Sequence, residues 1–427
     1  MTRAAILWLL LAVAASAQVE RGEAVTVCRL PAQPEAVGLP RSAVEVTVQA
    51  RAVRSGPACD PATEGARFEV TYTGFPDGAE ASFQEAVDVW ACRVRSDQPI
   101  RVSATWGPLG SGTLGTAGPV LFRNFPGAPA RDVWYPAALA DELAGRDLGE
   151  GDADIEAVFN SGFASWHTGA GPPPEGTYDL TTVVLHELGH GLGLVGSLKV
   201  EDGVGTVGPE EGGAFSYDLF AQTASGTPLL DPGLFPEGSA ALAAALQAEV
   251  RFDGRATRQA VGSPLMLYSP ARWVPGASFS HLDEETYPPS TPDGLMTPFI
   301  ARNEQITEPG TAVCAMLADI GWALAGDCAR RVGALAELES GLTVERRGPN
   351  PFARQTTLRL TAQPAASLEA RLVDVRGRRV AWLGRRVLVS GQSWDVVVDG
   401  AALASGVYFV QVLGGTAPLL IPLTVVR

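Results

Sequence analysis

Lysine is almost absent from this sequence, and its basic side chains are too few to balance the acidic ones. Lys199 is the single lysine, so nearly all of the 32 basic residues are arginine, and the 47 acidic residues leave a formal net charge of −15. An acidic chain repels phosphate backbones, which argues against a nucleic-acid partner. Only 4 histidines are present, so two of them at a metal-ligand spacing are informative.

The sequence also lacks a fixed-period repeat and an apolar run long enough to cross a bilayer. Its 48 glycines and 32 prolines favour turns and long loops and disfavour a coiled coil or helical solenoid. A hydrophobic content of 46% is ordinary for a globular protein and excludes wholesale disorder. The length of 427 residues predicts two or three domains, at roughly 150 residues each.

The one long apolar run opens the chain and predicts a signal peptide at residues 1–17. Arg3 supplies a positive charge, residues 4–15 are mostly apolar, and Ala15-Ser16-Ala17 is a small-residue cleavage site. The run is shorter than the ~20 residues that a membrane span requires. We therefore predict an exported protein with no transmembrane segment after removal of the signal.

Export makes disulfide bonds available to the five cysteines. Proximity in the sequence favours the pairs Cys28–Cys59 and Cys314–Cys328. Cys92 falls on a predicted buried helix, where we expect a small core residue and no disulfide bond. The odd number of cysteines leaves at least one thiol over.

A change of charge near residue 345 indicates a domain boundary. Residues 345–427 contain eleven arginines and five acidic residues, whereas the rest of the chain is acidic. We predict a signal peptide, an N-terminal segment, a large central domain, a linker and a C-terminal domain. Their bounds are 1–17, 18–62, 63–330, 331–347 and 348–427. The N-terminal segment is a candidate pro-region, or simply the first edge of the central domain.

The central domain alternates between strand patterns and helix patterns. Alternating apolar residues predict strands at Arg67–Gly74, Ile100–Trp106 and Asp154–Asn160. Apolar residues at helical spacing predict helices at Glu80–Val94, Pro136–Ala144, Thr177–Leu192, Ala240–Val250 and Val313–Leu324. Residues 107–135 are rich in glycine and proline and predict a loop. This order predicts an α+β fold in which helices pack against a mixed sheet.

The C-terminal domain has a different pattern of short alternating strands. These are predicted at Thr357–Leu360, Leu368–Val375, Val387–Val389, Trp394–Val398, Val407–Leu413 and Leu419–Val426. Turns such as Arg376-Gly377 separate them. The pattern is typical of a small all-β sandwich.

One helix of the central domain contains the sequence His-Glu-Leu-Gly-His. His186 and His190 are four residues apart, so they project from the same helical face and can bind one Zn²⁺ at ~2.0–2.1 Å. Glu187 sits beside the first ligand, where it can hold and deprotonate a water molecule on the metal. Asp179 is the expected N-cap of this helix.

A catalytic zinc requires a third protein ligand and an open position. The two remaining histidines are His281 and His167, and His167 is also a candidate to line a substrate cleft. Glu210 competes for the same role, because its distance of twenty residues from His190 is similar to that in thermolysin-like enzymes. The residues around Glu210 predict a loop, however, and not the helix that those enzymes use.

Gly193 follows His190 by three residues, as in the longer motif of the metzincins, in which the zinc-binding helix breaks at a glycine. That motif continues to a third histidine at the position that Gly196 occupies here. The third ligand of this chain must therefore lie outside the motif.

The sequence around His281, together with Leu295-Met296-Thr297-Pro298, resembles the leishmanolysin branch of the metzincins, including its bacterial secreted relatives. The resemblance extends from about Phe68 to Trp322. It implies a mixed twisted sheet with helices, His281 as the third zinc ligand, and Met296 in a turn beneath the metal. It also implies that a substrate lies extended along an edge strand, for which Asp154–Asn160 is the candidate.

Three short segments of the C-terminal domain occur in a recognisable order. They are Gly348-Pro349-Asn350-Pro351-Phe352, the segment from Val373 to Val380, and Ser405-Gly406-Val407-Tyr408. Together they resemble the C-terminal sorting domain of type IX secretion substrates. This resemblance implies the secretion machinery as a partner, passage across the outer membrane, and then release or attachment at the cell surface. The alternative is a generic immunoglobulin-like module for adhesion.

Taken together, these observations predict a secreted zinc metalloendopeptidase that acts on protein or peptide substrates. One alternative is a gluzincin-like peptidase that uses Glu210 as its third ligand. Another is a surface adhesin on a peptidase-like scaffold that has lost activity. The glutamate between the two histidines argues against the adhesin, because a binding protein has no need of a general base.

Overall fold

The computed structural model describes residues 19–22, 30–31, 65–332, 342–362, 366–374, 378–389, 391–413 and 419–426. The predicted signal peptide, most of the segment 18–62 and the predicted Cys28–Cys59 pair lie outside these residues. In the described part, the chain has a mixed α+β fold, as the sequence predicts.

The helices of the central domain begin within a few residues of their predicted positions, but one short helix was not predicted. They are α1 (Asp77–Ala91), α2 (Ala137–Ala144), α3 (Leu180–Gly191), α4 (Ala240–Leu246), α5 (Arg255–Val261) and α6 (Thr311–Ile320). Short 3-10 helices occur at Ser216–Phe220 and Pro292–Met296. The unpredicted helix is α5, which is only two turns long and therefore carries a weak periodic signal.

The strands of the N-terminal and central parts are mostly short. They are β1 (Glu20–Gly22), β2 (Leu30–Pro31), β3 (Phe68–Thr73), β4 (Val94–Arg95), β5 (Ile100–Gly107), β6 (Thr113–Pro119), β7 (Leu121–Arg123), β8 (Tyr135–Pro136), β9 (Ile155–Asn160), β10 (Trp166–His167), β11 (Tyr178–Asp179), β12 (Lys199–Glu201), β13 (Val204–Thr206), β14 (Ala221–Thr223), β15 (Val250–Phe252), β16 (Leu265–Met266) and β17 (Ala323–Leu324).

The main sheet of the central domain has five strands in the order β2-β6-β9-β5-β3. Strands β3, β5 and β9 are parallel, and β6 and β2 complete the sheet in antiparallel pairings. Helix α1 connects β3 to β5 and buries Phe83, Val87 and Trp90 in the core. A helical crossover of this kind is what two parallel neighbours require.

Strand β6 corrects two predictions. Residues 107–135 were expected to form a loop because glycine and proline usually interrupt strands, yet Thr113–Pro119 is a strand that pairs with β9 from Gly115 to Pro119. Consequently Ile155–Asn160 lies between β5 and β6 in the sheet. It is therefore not the edge strand that the family resemblance implied.

Helix α3 is buried along its whole length between the sheet and the loops of the central domain. Two indole rings tie it in place: Trp90 donates a hydrogen bond of 2.9 Å to the carbonyl of Leu185, and Trp322 donates one of 2.8 Å to the carbonyl of Leu192. Gly191 allows close packing on the sheet, because a Cβ there would lie 2.5 Å from Cγ2 of Ile155. Small residues therefore let α3 approach the sheet closely.

The two described pieces of the N-terminal segment both pair with strands of the central domain. Strand β1 is antiparallel to β7, and Glu20 forms an ion pair with Arg123. The guanidinium of Arg123 also lies 4.3 Å from the ring centroid of Trp134. Strand β2 is antiparallel to β6. These residues thus form edges of the central domain's sheets.

The C-terminal domain contains two antiparallel sheets that share one hydrophobic core. Its strands are β18 (Leu342–Arg346), β19 (Gln355–Ala362), β20 (Ala366–Asp374), β21 (Arg379–Leu388), β22 (Ser393–Asp399), β23 (Gly406–Leu413) and β24 (Leu419–Val425). The sheets have the orders β18-β19-β22 and β21-β20-β23-β24. Because β18 pairs with β19, this domain begins before residue 348, inside the region predicted as linker.

The disulfide bonds confirm one prediction and correct another. Cys314 on α6 is bonded to Cys328, as their proximity suggested. Cys92, which was expected to be a plain core residue, is disulfide-bonded as well. Its partner lies outside the described residues. A position at the end of an apolar helix does not distinguish a free cysteine from a bonded one, so the sequence pattern led to the wrong expectation.

Candidate metal centre

Helix α3 begins where the sequence places its N-cap. The carboxylate of Asp179 accepts hydrogen bonds from the backbone amide of Thr182 at 3.0 Å and from its hydroxyl at 2.7 Å. The hydroxyl of Thr182 in turn accepts a bond of 2.8 Å from the amide of Ile306. These bonds satisfy an otherwise unpaired amide at the helix start and fix the helix relative to the loop before α6.

Three histidines meet at one point in the interior. His186 and His190 lie one turn apart on α3, and His281 reaches them from an irregular loop. The Nε2 atom of His190 is 3.0 Å from that of His186 and 3.2 Å from that of His281, and the third distance is 3.3 Å. All three side chains are buried. The structure thus brings together two predicted ligands and one of the candidates for the third.

The other ring nitrogen of each histidine faces a backbone carbonyl. Nδ1 of His186 is 2.6 Å from the carbonyl oxygen of Leu295, that of His190 is 2.6 Å from Leu194, and that of His281 is 2.7 Å from Ala277. A carbonyl oxygen only accepts, so each Nδ1 must carry the proton. Each Nε2 is then an unprotonated acceptor that points at the other two.

This arrangement fits a metal ion. Three nitrogen lone pairs that converge without a proton repel one another unless a cation lies between them. Three nitrogens bound to one tetrahedral ion at ~2.0–2.1 Å would be ~3.3 Å apart, which is close to the observed 3.0 to 3.3 Å. In the described part of the chain, this is the one group of three or more potential ligands that converges in this way.

Burial keeps the imidazoles neutral. It lowers the pKa of His186 to about 4 and that of His281 to about 3, and it holds the pKa of His190 well below its ordinary value. The charged imidazolium form is costly in the dry interior. The three imidazoles are therefore already in the neutral form that a metal ion requires of histidine at neutral pH.

Glu187 is the unusual group beside this cluster. Its side chain is completely buried, and neither carboxylate oxygen has a hydrogen-bond partner of normal geometry among the described residues. Burial raises its pKa well above the ordinary value, and the backbone amide of Ala117 acts weakly in the opposite direction. A buried carboxylate without a partner costs free energy, so its retention needs an explanation beyond packing.

Strand β6 passes directly over this carboxylate. A Cβ placed on Gly115 would lie 3.2 Å from Cγ of Glu187, 3.3 Å from its Oε1, and 3.2 Å from Cγ1 of Val183. Gly115 also pairs with Leu30 of β2 on the outer side of the strand. Strand β6 therefore contacts helix α3 at Glu187 and Val183, and residues 30–31 pair with its outer side.

Met296 packs beneath the helix that carries the histidines. A Cβ on Gly189 would lie 2.9 Å from its sulfur atom. The preceding residue, Leu295, supplies the carbonyl that faces His186. At the helix end, Gly193 has a φ of 109°, a conformation that suits glycine, and a Cβ there would lie 2.5 Å from Cγ of Pro136. The predicted break of the helix thus occurs where expected.

A small cavity opens beside His186. Its volume of about 10 Å³ is room for about one water molecule. The lining combines apolar residues with a few polar ones, namely Thr182, His186, Gly294, Leu295, Thr297, Phe299, Ile300, Glu304 and Ile306. The carboxylate of Glu304 is occupied by two backbone amides, those of Ser290 and Ala301, each at 2.8 Å. The space therefore offers both apolar and polar contacts next to His186.

Two predicted candidates lie away from the cluster. His167 pairs in a short parallel ladder with Asp179 at the start of α3, and its Nε2 is 3.2 Å from the carbonyl of Gly171. Glu210 is exposed in a turn and is not part of the converging group. Glu210 as third ligand is therefore unsupported by the structure.

Sequence reasoning missed the groups that orient the imidazoles. The carbonyls of Leu194, Ala277 and Leu295 belong to the backbone, so no side-chain pattern marks them. Gly115 was taken for a loop glycine. Its signal was present, because an isolated glycine in a strand often marks the close approach of another group.

Comparisons with known proteins do not place the chain in a family. No protein-family model matches it, and a search of curated proteins gives no significant match. Among the described residues, no helix has both the length and the apolar character needed to span a bilayer.

Proposed function

We propose that this protein is a secreted zinc-dependent endopeptidase that hydrolyses peptide bonds in protein or peptide substrates. The observation that carries the proposal is the convergence of three buried Nε2 atoms beside Glu187, a buried carboxylate without a regular hydrogen-bond partner in the described part of the chain. A histidine cluster that served only packing would have no use for such a carboxylate. The resemblance of the sequence to the leishmanolysin branch supports the same proposal.

His186, His190 and His281 would hold the ion and leave one tetrahedral position open. Imidazole nitrogens favour zinc over calcium or magnesium, which prefer oxygen ligands. When bound, zinc supplies Lewis acidity, which lowers the pKa of a coordinated water to about 7 and polarises a carbonyl group. The second nitrogen of each ring keeps its proton on a backbone carbonyl, so the ligand orientation is set before the ion arrives.

Glu187 would be the general base. Its carboxylate takes a proton from the attacking water and later passes it to the nitrogen of the leaving amine. Burial raises its pKa, which makes it a stronger base than an exposed glutamate, and a nearby cation would bring that pKa back toward neutrality. Such a value suits proton transfer near pH 7.

An extended substrate would run along β6, because the backbone of this strand contacts Glu187 at Gly115. Pairing with its outer edge would supply main-chain hydrogen bonds. Residues 30–31 hold that edge, so a substrate that adds as a strand must displace them. This supports a role of the segment 18–62 as a pro-region.

We also propose that the C-terminal domain directs export, with the secretion machinery as its partner and a secreted or outer-membrane surface location as the result. The two-sheet architecture of residues 342–426 is compatible with such a domain. Its arginine-rich composition contrasts with the acidic central domain, which supports an independent role.

Casein zymography of the purified chain tests the proposed activity. We expect cleavage that stops when 1,10-phenanthroline removes the metal and returns when zinc is added. A catalytically inactive adhesin would leave the casein intact under all three conditions. Cleavage that continues in the chelator would contradict the proposal of a metalloenzyme.

A further inference from the structure

Two segments that contact the histidines of the cluster are hydrogen-bonded to each other. The first is Leu194–Ser197, which follows α3 and supplies the carbonyl for His190. The second is Ala277–His281, which ends at the third histidine. The amide of Gly196 donates a hydrogen bond of 3.1 Å to Oγ of Ser280. This contact connects the segment that follows α3 to the residue directly before His281.

Gly196 leaves the space that the ring of Phe279 fills. A Cβ on Gly196 would lie 2.1 Å from Cε1 and 2.4 Å from Cδ1 of that ring, distances at which two carbon atoms cannot coexist. Gly196 is not among the residues with a positive φ. The requirement for glycine at this position is therefore one of space and not of backbone conformation.

Phe279 itself has a strained backbone. Its φ is 75°, which is costly for a residue with a bulky side chain and persists only where the surroundings hold it. Two hydrogen bonds do so: its amide donates to the carbonyl of Tyr268 at 2.8 Å, and its carbonyl accepts from the hydroxyl of Tyr217 at 3.0 Å. The rings of Tyr217 and Phe279 also pack edge to face, with centroids 5.7 Å apart.

Tyr217 is in turn anchored to the segment after α3. Its neighbour Asp218 accepts hydrogen bonds from the backbone amide of Ser197 at 2.9 Å and from that of Phe215 at 2.7 Å. Both Tyr217 and Asp218 are buried. These contacts form a closed ring. Gly196 packs against Phe279, Phe279 is bonded to Tyr217, and Asp218, the neighbour of Tyr217, is bonded to Ser197, which follows Gly196.

We propose that Tyr217 and Phe279, seated against Gly196, are positioning residues that present His281 to the imidazoles of α3. The proposal rests on the proposed metal site and adds the means by which its third ligand is delivered. His281 lies only two residues after Phe279, so a backbone held in this unusual conformation fixes where the imidazole points. The orientation of the His281 ring cannot be predicted from the residues next to it in the sequence.

Tyr217→Phe tests the role of the hydroxyl, since it keeps the ring and its packing. We expect Co²⁺, titrated into the metal-free full-length variant, to bind about tenfold more weakly than to the wild type. We also expect the visible absorption band that is typical of tetrahedral Co²⁺ to be weaker in the variant. The matched control is Tyr135→Phe, because the Tyr135 hydroxyl is also buried and accepts a backbone hydrogen bond, from Ala130 at 3.0 Å, far along the chain from the histidines. Tyr135→Phe should lose about as much unfolding free energy as Tyr217→Phe and should bind cobalt with the affinity of the wild type.

Gly196→Ala tests the contact with the ring. We expect cobalt affinity to fall by about 10- to 100-fold, and we expect Gly196→Ala combined with Phe279→Leu to recover part of the loss, because the smaller side chain makes room for the new methyl group. Gly110→Ala is the control, since a Cβ at Gly110 meets no atom within 4 Å. Equal cobalt affinities of the wild type, Tyr217→Phe and Gly196→Ala would overturn the proposal, as would an equal loss in the two tyrosine variants.

These outcomes separate the positioning proposal from the proposed function. If the wild-type chain binds no cobalt, the metal site itself is wrong. If the wild type binds cobalt and the variants bind it equally well, the site stands and the positioning role falls.

Discussion

The backbone of Gly115 lies against the carboxylate of Glu187, close enough that a single added carbon at Gly115 would stand 3.3 Å from Oε1. This contact connects the sheet to the group that we propose as general base. It places the strand that could pair with a substrate directly beside the atoms that would transfer the proton.

Gly115→Ala should therefore impair catalysis and spare the metal. The new methyl group must push the Glu187 side chain by a few tenths of an ångström, and small displacements of a catalytic group are costly. We expect kcat to fall by about tenfold and zinc content to be unchanged. Peptide hydrolysis and metal analysis of the same preparations check this, with Gly110→Ala as control. Unchanged kcat would show that the contact does not constrain the base.

Glu187→Gln should abolish proteolysis and retain zinc. The amide keeps the size of the side chain and cannot accept the proton, so we expect a loss of at least about 100-fold in kcat. Glu142→Gln, at a half-buried glutamate on α2, is the control and should remain active. Substantial proteolysis by the Glu187 variant would refute its assignment as general base.

Metal affinity should depend little on pH between about 5 and 7. Burial lowers the pKa of His186 to about 4 and that of His281 to about 3, so metal binding displaces no proton from these rings in that range. An exposed histidine site, with a pKa near 6.5, would lose affinity over the same range. Calorimetric titration with zinc at several pH values distinguishes the two, and a steep loss below pH 6.5 would contradict the buried site.

The same shifts set the sign of one contribution to stability. Because these imidazoles have lower pKa values in the folded chain than in the unfolded one, only the unfolded chain takes up protons as the pH falls below about 6.5. Their contribution to the stability of the metal-free protein is therefore present above that pH and is lost progressively on acidification.

The disulfide between Cys314 and Cys328 should stabilise the central domain. It closes a loop with a sequence separation of 14 residues, and both cysteines are buried. We expect the double variant Cys314→Ala/Cys328→Ala to lose about 2–4 kcal/mol of unfolding free energy in urea titrations. A loss below about 1 kcal/mol would mean that this bond contributes little to the stability of the fold.

The local parts of the fold and site could be predicted from the sequence. His186, Glu187 and His190 belong to one helix, and their spacing within it, together with the N-cap at Asp179, is a local pattern. The helices other than α5, the strands β3, β5 and β9, and most strands of the C-terminal domain followed from the same kind of periodicity.

The long-range parts could not be derived in this way. His281 reaches the cluster through an irregular loop whose course depends on the strained Phe279 and on Tyr217, far away in the sequence. Family resemblance suggested this histidine, but periodicity could not. Strand β6 was missed because glycine in a sequence usually indicates a loop. Gly115 instead lies in a strand whose backbone packs against the Glu187 side chain.

Zinc analysis of the purified chain, with the variants His281→Ala and Glu210→Ala beside it, tests the central claim most directly. We expect one zinc ion per chain in the wild type and in Glu210→Ala, because Glu210 is exposed and outside the cluster, and a loss of zinc in His281→Ala, which removes one of three ligands. A wild-type chain without bound zinc, or a His281→Ala variant that retains it while Glu210→Ala does not, would contradict the account.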